Sequence, residues 1–317
     1  MNHLFSFIVL LMLNFAILGS LQGANATMTL DELVDKKYLI LNGDKFNINT
    51  ALIFELDNCI EVVQALLNVG FSVNSKCFYE RGHFHWLLSE AMLYKNEKVA
   101  SFLIENGADV NVVDSMGATP LLYALLVQFK HGIELLVKHG ADVNSKFDYG
   151  ITIFQFAIEC DDTEILELLI RHGAKIDEKD DHGQRAFDYA VSMRKIRAIK
   201  VLIDNGLDIR NEIEALNWSI IRLDKSIVEL LINYGTDINA IDQKGDTPLA
   251  AAIGTFDPKK SPDSNEYYKT TMREIIELLL QRGVNPNIKS GEYNSVLEMA
   301  KLLDEPTSKL LIKYGAK

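Results

Sequence analysis

The pentapeptide Gly107-Ala108-Asp109-Val110-Asn111 is spelled again, letter for letter, from Gly140 to Asn144. A word that returns at a fixed interval constrains a fold more than any isolated motif, because it implies one structural unit built several times and stacked on itself. With the glycine as marker, counterparts fall at Gly43, Gly70, Gly107, Gly140, Gly173, Gly206, Gly235, Gly283 and Gly315. From Gly107 to Gly206 the spacing is 33, and the other intervals are 27, 37, 29, 48 and 32.

Apolar residues stand three, four and five positions before the marker, as in Leu135-Leu136-Val137, Leu168-Leu169-Ile170, Leu230-Leu231-Ile232 and Leu278-Leu279-Leu280. Where another stands eight before it (Val62, Val99, Ile165, Ile227, Ile275), the set recurs at i, i+3 and i+4. That spacing predicts one face of an amphipathic helix. Lys138-His139-Gly140 and Arg171-His172-Gly173 add cations in the last turn and a left-handed stop after it. A second helix is expected upstream, starting at Gly117-Ala118-Thr119-Pro120-Leu121 and Gly245-Asp246-Thr247-Pro248-Leu249, with looser forms at Gly150 and Gly183. Thr there suits the N-cap, and Pro suits the first helical position, where its missing N–H costs nothing. Ala124, Ala157, Ala190 and Ala252 leave room for a close neighbour. Tyr123, Phe156 and Tyr189 share the same period, which predicts an inter-repeat core. Between each marker and the next helix, about ten residues of Asn, Asp and Gly turn chemistry fit a hairpin-like excursion.

The starts "GATPLLYAL" and "GDTPLAAAI" and the ends "LLVKHGADVN" and "LLINYGTDIN" resemble ankyrin repeats, whose unit is a β-turn followed by two antiparallel helices. The resemblance spans roughly residues 38–316 and implies an all-α repeat solenoid of about eight stacked units. It makes 27–47 a partial N-terminal cap and 48–317 the repeat domain. Lys301, Lys309, Lys313 and Lys317 fit a last unit that faces water. Two units depart from the pattern. The one ending at Gly235 is four residues short and lacks Thr-Pro, and the one ending at Gly283 carries extra residues, expected as an insertion loop at about 254–270.

The first 26 residues are a different material. Met1 to Ala26 contains no Asp, Glu, Lys or Arg, Leu4 to Leu18 is almost wholly apolar, and the segment ends in Ala24-Asn25-Ala26. This predicts a signal peptide at 1–26, cleaved after Ala26, and a secreted or periplasmic mature chain with no membrane association. An uncleaved N-terminal anchor is the alternative, since the apolar run approaches the roughly 17-residue lower limit of a membrane span. The chain is 48% hydrophobic and 24% charged, enough for a packed core. Its net charge of −12 repels nucleic acid and anionic lipid, and no run of Lys and Arg is seen to override it. Cys59, Cys77 and Cys160 are too few and too irregular for a disulfide framework or a zinc ribbon.

Catalytic signatures are missing: there is no phosphate-binding Gly loop, His-Glu-x-x-His, Cys-x-x-Cys or Gly-x-Ser-x-Gly. His83-Phe84-His85 places two imidazoles on one side of a strand, but the bland reading, polar residues of a hairpin, is favoured over a metal site. Asp161-Asp162 and Asp180-Asp181 are expected as solvated turn residues, and Asn217-Trp218-Ser219 as a chance match to a glycosylation acceptor. No enzyme, cofactor or metal is expected. The resemblance implies binding to a protein partner, with this chain a monomer, through hairpin tips and the concave face of the first helices. Carried over by position, the tip residues are Met116, Ala118, Tyr149, Ile151, His182 and Gln184, with Phe78, Tyr79 and Phe147 extending the patch. An effector delivered into a host cell, an enzyme built on the 254–270 insertion and a purely structural spacer are the competing readings.

Overall fold

The structure is a computed structural model describing residues 28–42, 45–48, 50–54, 56, 59–79, 83–254, 266–289, 295–301 and 305–317. The segment expected to be a signal peptide and the marker Gly43 lie outside the described residues. The chain divides into two compact units: Met1–Cys160 with Arg171–Ala174, and Asp161–Ile170 with Lys175–Lys317.

In the first unit, α1 (Leu30–Asp35) starts in a reciprocal cap: Thr29 Oγ1 accepts from the Glu32 N–H, and the Glu32 carboxylate accepts from the Thr29 N–H at 2.7 Å. An antiparallel hairpin follows, β1 (Leu39–Asn42) on β2 (Lys45–Ile48), with Leu39 opposite Ile48. Next come the helices α2 (Thr50–Phe54) and α3 (Cys59–Asn68), and a second hairpin, β3 (Lys76–Phe78) on β4 (Phe84–Trp86). The unit is completed by α4 (Leu87–Leu93) with α5 (Glu97–Glu105), α6 (Pro120–Leu126) with α7 (Lys130–Lys138), and α8 (Ile153–Ala157). First helices stack on first helices, α2 on α4 on α6 on α8, and second on second, α3 on α5 on α7. The alanines make the first layer possible: Ala91, Ala124 and Ala157 are completely buried. Leu66, Leu103 and Leu136 fill the second layer, also without exposure, each worth about 1.5–3 kcal/mol of burial. Tyr123 is buried as expected, whereas Phe156 and Tyr189 are half-buried.

The second unit carries α9 (Thr163–Arg171), α10 (Ala186–Ser192), α11 (Ile196–Asp204), α12 (Ile213–Ile221), α13 (Lys225–Asn233), α14 (Pro248–Gly254), α15 (Glu266–Gln281), α16 (Val296–Lys301) and α17 (Glu305–Lys313). Again α10, α12, α14 and α16 form one layer, and α13, α15 and α17 another. Before α12, where the short repeat lacks Thr-Pro, no strand forms; the Asp237 N–H donates instead to the Arg210 carbonyl. Residues 266–270 of the anticipated insertion are the first turn and more of α15, so the helix begins earlier than the sequence pattern indicates. Residues 255–265 lie outside the described residues.

The joints follow local chemistry. Thr119 caps α6 by accepting from the Leu122 N–H, with Pro120 at the first position. The markers Gly107 and Gly140 have φ of 86° and 87°, the left-handed backbone a helix stop requires. A second left-handed site was not anticipated. Lys95, Gln128, Asp161, Arg194 and Leu223, each in the turn after a first helix, have φ between 52° and 58°. They recur at the repeat interval, so a strained conformation is part of the unit.

Candidate protein-binding surface

Strand alternation sorts the β3–β4 hairpin into two faces. Cys77 and His85 are register partners and both turn inward, each 1% exposed. Lys76 pairs with Trp86 and Phe78 with Phe84 on the other face. There the rings run in sequence: Phe78 to Phe84 at 6.0 Å, then Phe84 to Trp86 edge-on at 5.6 Å. Lys76 Nζ lies 4.0 Å from the Phe84 ring centre and 5.0 Å from that of Trp86, a cation held by two aromatic faces. Trp86 Nε1 donates to the Val113 carbonyl at 2.9 Å, which extends the stripe to the next hairpin. Phe78 is 47% exposed and Val113 53%.

The inward face is polar and closed. Glu90, with no exposure, stands at the register of Tyr123 one repeat later. One of its oxygens accepts from Thr50 Oγ1 at 2.7 Å, and the other lies 2.5 Å from His85 Nδ1. The Tyr79 hydroxyl meets Thr50 Oγ1 at 3.2 Å, and the rings of Tyr79 and Tyr123 flank His85 at 4.8 and 4.9 Å. The Tyr123 hydroxyl donates to Asp114 at 2.6 Å. Burial raises the pKa of the Cys77 thiol well above its ordinary value, and Glu90 adds to the effect. A buried, protonated thiol is a poor nucleophile. Cys77, His85 and Glu90 are thus all part of the buried core on this face. No group of three potential metal ligands gathers among the described residues.

The expected tip residues separate by environment. Tyr149 is 52% exposed at φ 57° on the tip of its turn. Met116 and Ile151 are half-buried at neighbouring tips. Phe147 is half-buried with its ring edge-on against Phe156 at 5.7 Å. Ala118 is 3% exposed, because Asp114 Oδ1 accepts from both the Met116 and Ala118 N–H groups and folds the tip back. Tyr79 spends its hydroxyl on Thr50. Ala118 and Tyr79 thus present little to a partner. In the second unit His182 and Gln184 are exposed, their N–H groups held by Asp180 Oδ1. Asp180 is itself 7% exposed, so it is a buried turn organiser and not a solvated residue. Asn217 is 3% exposed, its amide donating to Asp242, so the glycosylation match is closed off in the fold. Sequence reasoning missed Lys76, Trp86 and Val113 and weighed Phe84 only as part of the histidine pair; alternation across 76–78 and 84–86 carries the missing signal.

With this geometry established, comparison with known proteins agrees with it. A family model for ankyrin repeats matches residues 58–147 and 144–213. The fold resembles the ankyrin repeat domain of Bcl-3, a member of the IkappaB family, at TM-score 0.59 and 19% identity, over 71% of this chain and 97% of that one. It also resembles the human ASB11 ankyrin repeat domain at TM-score 0.54 and 23% identity, over 74% of this chain and 99% of that one. No curated protein matches the sequence. The chain is an ankyrin-repeat protein, with the all-α repeat solenoid as its fold class. Ankyrin repeats generally mediate protein–protein interaction and are typically non-enzymatic.

Proposed function

We propose that this chain is an exported, monomeric, non-enzymatic module that grips a protein partner through the hairpin tips of its first unit. The observation that carries the reading is the outward aromatic stripe Phe78, Phe84 and Trp86, with Lys76 set among the rings. Core packing already has its own inward set on the same strands, Cys77 and His85. Phe78 is exposed and Phe84 and Trp86 are half-buried on the outer face, and Trp is among the residue types enriched at interface hot spots. Tyr149 and Met116, at later tips, extend the surface that a partner would cover.

Purified wild-type protein and the Phe78→Ala/Tyr149→Ala variant, both checked for native circular dichroism, are to be compared in affinity capture from the source organism. The variant loses the captured protein under this reading; equal capture refutes it. Export rests on the apolar, uncharged run before Ala26. N-terminal sequencing of the mature protein is expected to start at Thr27, and an intact Met1 would refute cleavage.

A further inference from the structure

Glycine stops the second helix of a repeat, but the stop makes no demand on the residue before it. His139 and His172 stand there in two repeats, and Asn stands there in Asn106-Gly107, at the end of α5, and Asn205-Gly206, at the end of α11. A further Asn-Gly pair, Asn42-Gly43, lies partly outside the described residues. The backbone is the same for either residue type: φ and ψ are −93° and 16° at Asn106, −95° and 15° at His139, and −96° and 19° at Asn205. Asn before Gly has a chemistry that His lacks. The Gly nitrogen is a nucleophile for the Asn side-chain carbonyl carbon, and Gly has no side chain to crowd the approach.

Both pairs are exposed to water, and both are locked while the joint is closed. The Asn106 side-chain amide donates to the Phe102 carbonyl at 2.8 Å, and the Gly107 N–H to the Ile104 carbonyl at 3.0 Å. Asn205 donates likewise to Val201 at 2.8 Å, and Gly206 to Ile203 at 2.9 Å. Nucleophile and leaving amide are each held by another partner, so reaction waits on local opening. The two joints differ in what keeps them shut. Just past Gly107, the Asp109 N–H donates to Asn74 Oδ1 of the preceding repeat at 2.9 Å. Just past Gly206, the residue in register with that acceptor is Asp177, and no bond joins it to the Asp208 N–H among the described residues. Asp177 lies instead 3.5 Å from Arg185, and the Asp208 carboxylate turns back to Arg210 at 2.6 Å. The repeat that follows Gly206 is also the short one, with no strand before α12.

We infer that Asn205 is a site of spontaneous deamidation, and that the Asn74 fastening protects its chemical twin Asn106. The Gly206 nitrogen bonds to the Asn205 side-chain carbon and gives up its proton, and the amide nitrogen takes a proton and leaves as ammonia. Water then opens the succinimide at either carbonyl, which yields aspartate or isoaspartate without any oxidant or reductant. Isoaspartate lengthens the main chain at the helix stop, and either product sets a carboxylate at the negative end of α11. The reaction therefore loosens the joint beside the short repeat. The site shares no residue with the proposed hairpin surface, so either reading can fail without the other.

The test incubates the full chain at neutral pH, folded and in guanidinium chloride, and follows the peptides containing Asn106 and Asn205 by mass spectrometry, with isoaspartate separated by chromatography. Both sites are expected to convert in denaturant and to slow on folding. With each rate divided by its own rate in denaturant, Asn205 is expected to convert about fivefold faster than Asn106, the worth of one hydrogen bond. Asn74→Ala, checked for native circular dichroism, is expected to remove that difference by speeding Asn106 alone. The inference is overturned if Asn205 does not convert in the folded chain, if folding slows neither site, or if Asn106 keeps pace with Asn205 in the folded wild type. It is also overturned if a folded Asn74→Ala variant leaves Asn106 unchanged or speeds both sites equally; if that variant unfolds, the wild-type ratio decides.

Discussion

The side-chain amide of Asn111 donates to the carbonyl of Gly140 at 3.0 Å, and its oxygen accepts from the Asp142 N–H at 2.7 Å. The last letter of one pentapeptide thus fastens the first and third letters of the next. The same acceptor bond joins Asn74 to Asp109, Asn239 to Asn285 and Asn287 to Lys317. Asn144 and Asn287 repeat the donor bond to the carbonyls of Gly173 and Gly315. Because both bonds are solvent-exposed, water replaces part of what is lost when they break, and Asn111→Ala is expected to cost about 1 kcal/mol. Asn111→Asp keeps the acceptor for the Asp142 N–H but sets a carboxylate oxygen against the Gly140 carbonyl, so its cost should be no smaller. Urea denaturation of both variants measures this; an Asp variant clearly more stable than the Ala variant would show that the acceptor bond alone carries the joint.

Two glycines of one repeat are irreplaceable for opposite reasons. At Gly140 an added Cβ meets nothing within 4 Å, but φ is 87°. Gly140→Ala therefore carries backbone strain of about 1–2 kcal/mol, and Gly140→Asn less, since Asn tolerates this region. Gly132 sits inside α7 at ordinary φ, yet a Cβ there would run into the Phe129 ring and come within 2.9 Å of Met92 Sδ. Gly132→Ala is overpacked by about 1–3 kcal/mol, against a helix-propensity gain of up to about 1 kcal/mol. Asn should be worse than Ala at Gly132 and better than Ala at Gly140. Thermal melts of the four variants decide it.

These pairs also show what was legible in the sequence. Helix stops and starts rest on chemistry local to the chain, glycine after the last turn and Thr-Pro before the first, so the repeat architecture could be read directly. Residues whose role is set by a neighbouring repeat could not. Ala118 has the position of a surface residue but is folded inward by Asp114. Tyr79 looks like an exposed ring beside Phe78, yet strand alternation sends it to Thr50. Glu90 reads as an ordinary helical surface residue until its register with Tyr123 is noticed. Arg194 gives no sign of left-handed backbone, because the stop of α10, in which the Lys195 N–H donates to the Ala190 carbonyl and the Arg194 N–H to the Val191 carbonyl, falls on a residue that is neither Gly nor Asn.

Alkaline pH should loosen the first unit. Burial raises the pKa of the Tyr123 phenol far above its ordinary 10.0, with the Asp114 charge contributing. Burial does the same to Tyr79, with the Glu90 charge contributing. In the unfolded chain both phenols ionise near pH 10, whereas in the fold they keep their protons. Below pH 10 their contribution to stability is complete; above it the unfolded state holds fewer protons, and stability falls as pH rises. The slope is about 1.4 kcal/mol per pH unit for each phenol. Tyr123→Phe should be less stable at pH 8, having lost the bond to Asp114, but should lose less between pH 10 and 11 than wild type. Parallel slopes for the two proteins would show that Tyr123 does not carry the alkaline sensitivity.

The Glu90 carboxylate is the most demanding group in the first unit, since it is fully buried and serves Thr50 and His85 from two different elements. Glu90→Ala leaves the Thr50 hydroxyl and His85 Nδ1 without this partner and opens a void, so a loss of about 3 kcal/mol is expected. Glu90→Gln keeps the shape and one acceptor oxygen and should lose less. Glu90→Leu fills the volume but strands the same polar groups, which separates the two contributions: a Leu variant close to wild type would mean that packing, and not hydrogen bonding, is what Glu90 supplies. Trp86 fluorescence in urea, recorded in a Trp218→Phe background, reports the first unit alone. Its midpoint should fall in the order wild type, Gln, Leu, Ala.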